Sequence, residues 1–109
     1  MTSEEVVERQ LKRYNDHDLD AFCSCYSDDI ELINLPASEP YLRSRGSLRE
    51  LYGQKFANPA LKARIANRMV KNNFVIDHEK VSGLGEGEKD VIAIYEIEDE
   101  LIRRVSFIR

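Results

Sequence analysis

Two helical patterns occupy the start of the chain. Apolar residues recur at helical period after Thr2, whose spacing to Glu5 is that of a capping box. We predict that this first helix ends in the polar stretch 15–18 and that Asp18 caps a second, short helix. Their inner stripes contain Val6, Val7, Gln10, Leu11 and Tyr14, and Leu19, Phe22, Cys23 and Tyr26, respectively.

Strand patterns dominate the second half, after one more helix. Ser47 and Glu50 form another capping box, and the helix that they open should stop at Asn58–Pro59. Period-two alternation and turn residues predict an early strand and four later ones, the last two joined by a hairpin. The predicted strands cover 30–35, 62–69, 74–81, 91–98 and 101–108, with turns at 27–29, 82–89 and 99–100.

The order of these elements predicts the fold class. Helices gathered early and antiparallel strands gathered late are typical of an α+β domain with helices on one face of a curved sheet. The strand 91–98 has apolar residues on both of its faces, with Ala93 on one face and Ile94 on the other. Because one helical layer covers only one face, we predict a two-fold homodimer through Ile92 and Ile94, with Ile102 and Ile108.

Composition and charge restrict the class of partner. The 109 residues fit a single domain, 1–109, and 42% apolar with 33% charged residues predict a folded chain. A net charge of −4 argues against a nucleic-acid partner. The longest apolar run, 91–95, is too short to span a membrane, and the acidic start does not resemble a secretion signal. We therefore expect a cytoplasmic protein with no membrane partner.

Cysteine and histidine are too scarce to predict a metal site. Cys23 and Cys25 are close in a helical stretch and are interpreted as two buried thiols in a reducing compartment. His17 and His78 have no neighbouring cluster at ligand spacing. The glycines of 83–87 join strand to strand, so no phosphate cradle is predicted. No metal and no cofactor is expected.

A small group of polar residues is the candidate chemistry. His78 is the only candidate general base with a near-neutral intrinsic pKa, and its strand parity with Ile76 favours the inner face, although a surface histidine is equally common. By the same parity, Asp77 and Glu79 should be solvated. Gln10 is either satisfied within the fold or contacts a ligand. Apolar faces also carry tyrosines and two amides, namely Tyr14, Tyr26, Tyr52, Tyr95, Asn34 and Asn67.

Several short motifs, in this order, resemble a known superfamily. They read NDHDLDAFCSCY from Asn15, then SDDIEL, ASEP, LRELY, FVIDHEKVSG and IYEIEDELIRRVSFIR. The chain is similar to the nuclear transport factor 2-like superfamily, in its SnoaL-like and ketosteroid-isomerase-like branch. The resemblance implies a cone-shaped α+β barrel with helices and a curved sheet around one apolar pocket. It also implies a small, largely apolar ligand and pairing of two subunits through their sheets.

The catalytic residues of that branch are absent from the matching positions. Ketosteroid isomerases use a tyrosine and a protonated aspartate as oxyanion donors and a second aspartate as base. Alignment places Gln10, Ala93 and Asn34 at these three positions, respectively. The resemblance therefore predicts a pocket that lacks the catalytic tyrosine and the two aspartates of steroid delta-isomerases. It predicts that the pocket is lined by Gln10, Tyr14, Tyr26, Asn34, Tyr52, Asn67, Met69, His78, Ala93 and Tyr95.

Three kinds of function remain open at this stage. The chain is either a cofactor-free acid–base enzyme on a small apolar molecule, a non-catalytic binding protein, or a dimeric interaction module. The missing acid pair favours the second over a steroid isomerase. A near-neutral pKa of His78 facing the pocket would favour the first, and a pocket filled by tyrosines and Met69 would favour the third.

Overall fold

The computed structural model describes residues 1–109 and contains three helices and five strands. The helices span Ser3–Asn15 (α1), Leu19–Cys23 (α2) and Arg45–Lys55 (α3). The strands span Tyr26–Asn34 (β1), Lys62–Lys71 (β2), Phe74–Ser82 (β3), Lys89–Glu98 (β4) and Leu101–Ile108 (β5). The α+β class is confirmed. None of the three helices has the length and apolar character of a membrane-spanning segment.

The five strands form one mixed sheet. Their order is β1-β5-β4-β3-β2, with β1 parallel to β5 and the other three pairs antiparallel. The mainly antiparallel, curved sheet is as predicted, but β1 and β2 remain at its two edges, so it does not close into a barrel.

Local signals set most of the helix boundaries. The capping box of Thr2 and Glu5 is present, and Asp18 caps α2. The predicted start of α3 is wrong, because Ser44 is its N-cap and its hydroxyl accepts a hydrogen bond from the Ser47 amide at 3.1 Å. The predicted turn at 27–29 lies within β1, whose pairing with β5 is irregular between Tyr26 and Glu31.

An aromatic cluster around Phe22 joins the helices to each other and to the sheet. The Phe22 ring is fully buried, and its centroid lies 4.7 Å from that of Tyr52 and 5.0 Å from that of Tyr26. Phe56, which caps α3, lies 5.2 Å from Phe22 and 5.6 Å from Tyr14 of α1. The cluster therefore contains side chains from α1, α2, β1 and the end of α3.

The predicted faces of β3 are reversed in the structure. Asp77 and Glu79 are only 1% and 8% exposed and point toward the helices, whereas the His78 side chain is 39% exposed. Asp77 pairs across the sheet with Ala93, which is fully buried. The expectation that His78 faces the core is therefore wrong, and its Nε2 lies 2.9 Å from a carboxylate oxygen of Asp90 on the outer face.

The outer face of the sheet carries exposed apolar side chains. Met69 is 58% exposed, and Ile108 and Phe74 are 47% and 39% exposed. Ile92 and Ile94 lie between them and are half-buried. Ile102 does not belong to this face, because the register shift after Glu96 places it in the core.

Arg68 and Asp77 form a buried ion pair between β2 and β3. The guanidinium Nε lies 2.6 Å from Asp77 Oδ1, and Nη2 lies 2.9 Å from Oδ2. A third guanidinium nitrogen donates to Glu8 of α1 at 3.2 Å. This bidentate geometry is the form in which a carboxylate can remain ionised in a core. The pair also links the sheet to α1.

Replacing Arg68 should therefore destabilise the protein strongly. Arg68→Ala leaves the Asp77 carboxylate buried without its partner, which typically costs about 3–5 kcal/mol. Arg64→Ala is the matched control, because Arg64 pairs with Glu88 at the surface and such pairs contribute about 0–1 kcal/mol. Urea denaturation measures both values. Equal free-energy losses for the two variants would contradict the prediction.

Candidate functional site

A cavity lies between the inner face of the sheet and the helices α1 and α3. Its volume is about 80 Å³, and 10 of its 15 lining residues are hydrophobic. Inner-face residues of the sheet line it together with aromatic side chains of the helices, and basic side chains stand at its exposed mouth. The lining comprises Gln10, Leu11, Tyr14, Tyr26, Tyr52, Lys55, Ala63, Glu79, Val81, Leu84, Lys89, Val91, Tyr95, Phe107 and Arg109.

Glu79 is the single acidic residue of this lining. Its only hydrogen bond within the protein comes from the Tyr95 hydroxyl, which donates to Oε2 at 2.9 Å. Burial raises the pKa of Glu79 to about 7, and the charge of Asp77 adds to the shift. The Tyr95 hydrogen bond and the charges of Arg109 and Arg68 oppose that shift. The carboxyl group can therefore exchange a proton near neutral pH.

The geometry of the sheet explains how Tyr95 reaches Glu79. Tyr95 and Val91 lie on the inner face of β4, and Val91 pairs with Glu79 across the sheet. Ala93 lies between them on the same face and is fully buried. Its methyl group leaves room for the tyrosine ring to extend along the sheet toward the carboxyl group.

Gln10 is satisfied within the fold and also lines the cavity. The Tyr26 hydroxyl donates to Gln10 Oε1 at 2.9 Å, and Gln10 Nε2 donates to the Val7 carbonyl oxygen at 3.3 Å. Both Gln10 and Tyr26 are buried. This pair links α1 to β1 and places neutral polar groups in the cavity lining.

Two tyrosine hydroxyls of the lining make no hydrogen bond with the protein. They belong to Tyr14 of α1 and Tyr52 of α3, which line the cavity. Burial raises the pKa of Tyr14 to about 12, with a further increase from the charge of Glu79. Burial also raises the pKa of Tyr52. Both phenols are therefore neutral donors that are available to a bound molecule.

The structure brings five of the ten sequence-predicted residues to the cavity. These are Gln10, Tyr14, Tyr26, Tyr52 and Tyr95.

The other five lie elsewhere. Asn67 and Met69 are exposed on the outer face of β2, next to His78 and Ile76 of β3. Ala93 is buried beneath Tyr95, outside the lining. Asn34 is exposed at the sheet edge, where its Oδ1 accepts a hydrogen bond from Arg109 Nε at 3.1 Å. The sequence interpretation missed Glu79, and its parity with Val75 and Val81 was the signal that could have identified it.

Replacing Glu79 with glutamine should stabilise the protein at high pH only. Because its pKa is raised from 4.5 to about 7, the folded state binds the proton more tightly, and this contribution to stability is lost as pH rises through about 7. Glutamine stays neutral. The free energy of unfolding of Glu79→Gln should therefore exceed that of wild type by on the order of 3 kcal/mol at about pH 8.5 and equal it at about pH 4. Urea denaturation at the two pH values measures this.

Glu86→Gln provides the control for this measurement. Glu86 is exposed in the turn between β3 and β4 and forms no ion pair. Its substitution should change stability by less than about 0.5 kcal/mol at either pH. A pH-independent effect of Glu79→Gln would show that Glu79 has an ordinary pKa.

Comparisons with known proteins agree with this architecture. The sequence profile of the SnoaL-like domain matches residues 7–105. A cystatin-fold protein of uncharacterised function from Novosphingobium aromaticivorans is 25% identical, with a TM-score of 0.90 over 100% of this chain and 99% of its own. Among curated proteins, none matches the sequence significantly.

Two further solved structures share the fold at lower identity. A protein proposed to be a ketosteroid isomerase, from Kribbella flavida, is 13% identical, with a TM-score of 0.84 over 97% of this chain and 76% of its own. An epoxide hydrolase of the LEH-like type, from M. tuberculosis, is 15% identical, with a TM-score of 0.78 over 97% of this chain and 80% of its own. Because the profile match covers nearly the whole chain, the protein belongs to the SnoaL-like domain family, within the nuclear transport factor 2-like fold.

Proposed function

We propose that the protein is a cofactor-free acid–base enzyme that moves a proton on a small, largely apolar substrate, with Glu79 as the proton acceptor and donor. The observation that carries the proposal is the buried Glu79 carboxyl group, which faces the cavity and has Tyr95 as its only hydrogen-bond partner. A base with a pKa near the working pH is well suited to take a proton from carbon and return it.

The two free phenols complete the arrangement. When a base removes a proton from carbon next to a carbonyl group, negative charge develops on the carbonyl oxygen. Tyr14 and Tyr52 present neutral hydroxyl donors to the same cavity as Glu79. Each such donor typically contributes about 3 kcal/mol to the stabilisation of an oxyanion. This set differs from the ketosteroid isomerase set, whose matching positions hold Gln10, Asn34 and Ala93.

The charges around Glu79 determine the expected pH dependence. Asp77 lies on its own strand, Arg68 on β2, Arg109 after β5, and the phenols of Tyr95 and Tyr14 on β4 and α1. Activity that needs the carboxylate form should rise with pH through about 7.

5-Nitrobenzisoxazole tests the proposal, because it is a compact apolar probe whose C3 proton is removed by carboxylate bases. Glu79 would take that proton while the N–O bond breaks, which gives a coloured cyanophenolate. We expect kcat/KM to rise with a midpoint of about 7. Glu79→Gln should lower kcat/KM by about 10²–10⁴-fold, the usual contribution of a positioned base.

Tyr95→Phe separates catalysis from a structural effect. Loss of the hydrogen bond that favours the carboxylate should move the midpoint of the pH profile upward. Glu86→Gln, on the surface, should leave the profile unchanged. Full activity in Glu79→Gln, or a midpoint near the ordinary value for glutamate, would overturn the proposal.

We also propose that a second copy of the chain covers the outer face of the sheet. Met69, Phe74 and Ile108 are exposed there, and half-buried Ile92 and Ile94 lie between them. All three helices pack on the opposite face, so this surface has no cover from its own chain. An apolar surface of this kind is typical of protein–protein contact, and a two-fold contact would bury it on both subunits at once.

Sedimentation of a charged variant tests the dimer. Ile94→Lys places a cation at the centre of the outer face and should convert dimers to monomers without unfolding the chain. Val70→Lys is the control, because Val70 is 46% exposed at the far end of β2 and pairs with the inner-face residue Val75. Wild-type protein that sediments as a monomer at micromolar concentration would contradict the proposal.

A further inference from the structure

The mouth of the cavity holds three cationic side chains that lack acidic partners. They are Lys55 at the end of α3, Lys89 at the start of β4 and Arg109 after β5. None of the three forms an ion pair, although the chain has 20 acidic and 16 basic residues. Other basic side chains, such as Lys71, also lack an ion pair, but these three are the basic residues of the cavity lining. The lining therefore carries three basic residues and one acidic residue, Glu79, in a protein of net charge −4.

Neutral groups alone hold the Arg109 guanidinium in place. Its Nε donates to Asn34 Oδ1 at 3.1 Å, and Nη2 lies 3.5 Å from the Tyr41 hydroxyl. The guanidinium carbon also lies 4.5 Å from the centroid of the Phe107 ring, which lines the cavity. These contacts orient the guanidinium without an ion pair, so its donors can receive an anion.

Lys55 also lines the cavity and, like Arg109, lies close to an aromatic ring. Its Nζ lies 5.7 Å from the centroid of the Tyr52 ring, and its side chain is half-buried. Burial lowers the pKa of Lys55, and the positive charge of Arg109 lowers it further, so the two cations act on each other across the mouth. An anion between them would relieve this repulsion.

We propose that the ligand of this cavity is a small organic anion with a compact apolar body, such as an aromatic or short aliphatic carboxylate. The carboxylate would lie among Lys55, Lys89 and Arg109, and the apolar body would lie against Tyr52 and the neighbouring aromatic rings. The proposed ligand class rests only on the three cationic residues of the mouth. The orientation of the reacting carbon toward Glu79 rests on the proposed function.

Paired probes of equal shape and different charge test the ligand class. Benzoate and benzamide have the same ring, and titration of the purified protein by NMR gives the affinity for each. We expect benzoate to bind at least roughly tenfold more tightly, the order that one charge-assisted hydrogen bond supplies, and to weaken as salt is added. Lys55→Gln and Arg109→Gln should each remove most of this preference.

Lys71→Gln is the matched control, because Lys71 is an exposed lysine without an ion pair at the far end of β2. It should leave the preference for benzoate unchanged. Glu79→Gln keeps the mouth intact, so it should retain benzoate binding while it loses proton transfer, and the two proposals can therefore fail separately. Equal binding of benzoate and benzamide would overturn the ligand class, as would a preference that survives both mouth substitutions.

Discussion

The packing of aromatic rings around Phe22 is the interaction on which the rest of the architecture depends. The three helices are short, and five-residue α2 has little stability of its own. Phe22 places α2 between Tyr26 of β1 and Tyr52 of α3, and Phe56 extends the contact to Tyr14 of α1. Tyr14, Tyr26 and Tyr52 of this cluster also line the cavity, so the packing that stabilises the fold also shapes the site.

The inner face of β3 shows how one core can hold two carboxyl groups with different properties. Asp77 accepts two hydrogen bonds from Arg68 and therefore has its charge compensated. Glu79, two residues further along the same face, receives a single hydrogen bond from a neutral phenol. The first is suited to link secondary-structure elements. The second is suited to gain and lose a proton, because neither of its charge states is strongly favoured near neutrality.

The sequence predicted those features that depend on local chemistry. The caps of α1 and α2 and the hairpin at Asp99 follow from residues within a few positions of each other, and they agree with the structure. The sequence does not predict which face of β3 points toward the core, because Phe74 and Ile76 are as apolar as Val75 and Val81.

The side chains that stabilise the inward-facing carboxyl groups of β3 lie on other strands. Arg68 lies on β2, and Tyr95 is 16 residues from Glu79 along the chain. Periodicity within one strand carries no information about them. Periodicity within one helix is sufficient to predict that Tyr14 and Tyr52 face inward. It predicts a solvent-exposed Glu79, because the inward position of that residue depends on side chains of other strands.

The pairing of Arg68 with Asp77 has a further consequence for the specificity of folding. A strand with two almost equally apolar faces gains little from choosing one of them, and a slip by one residue would turn His78 inward and Asp77 outward. In the native register, Asp77 is directly opposite Arg68. We infer that the ion pair selects this alignment of the β2–β3 hairpin over its misaligned alternatives. Refolding yield, in addition to native stability, is the property in which that selection would be visible.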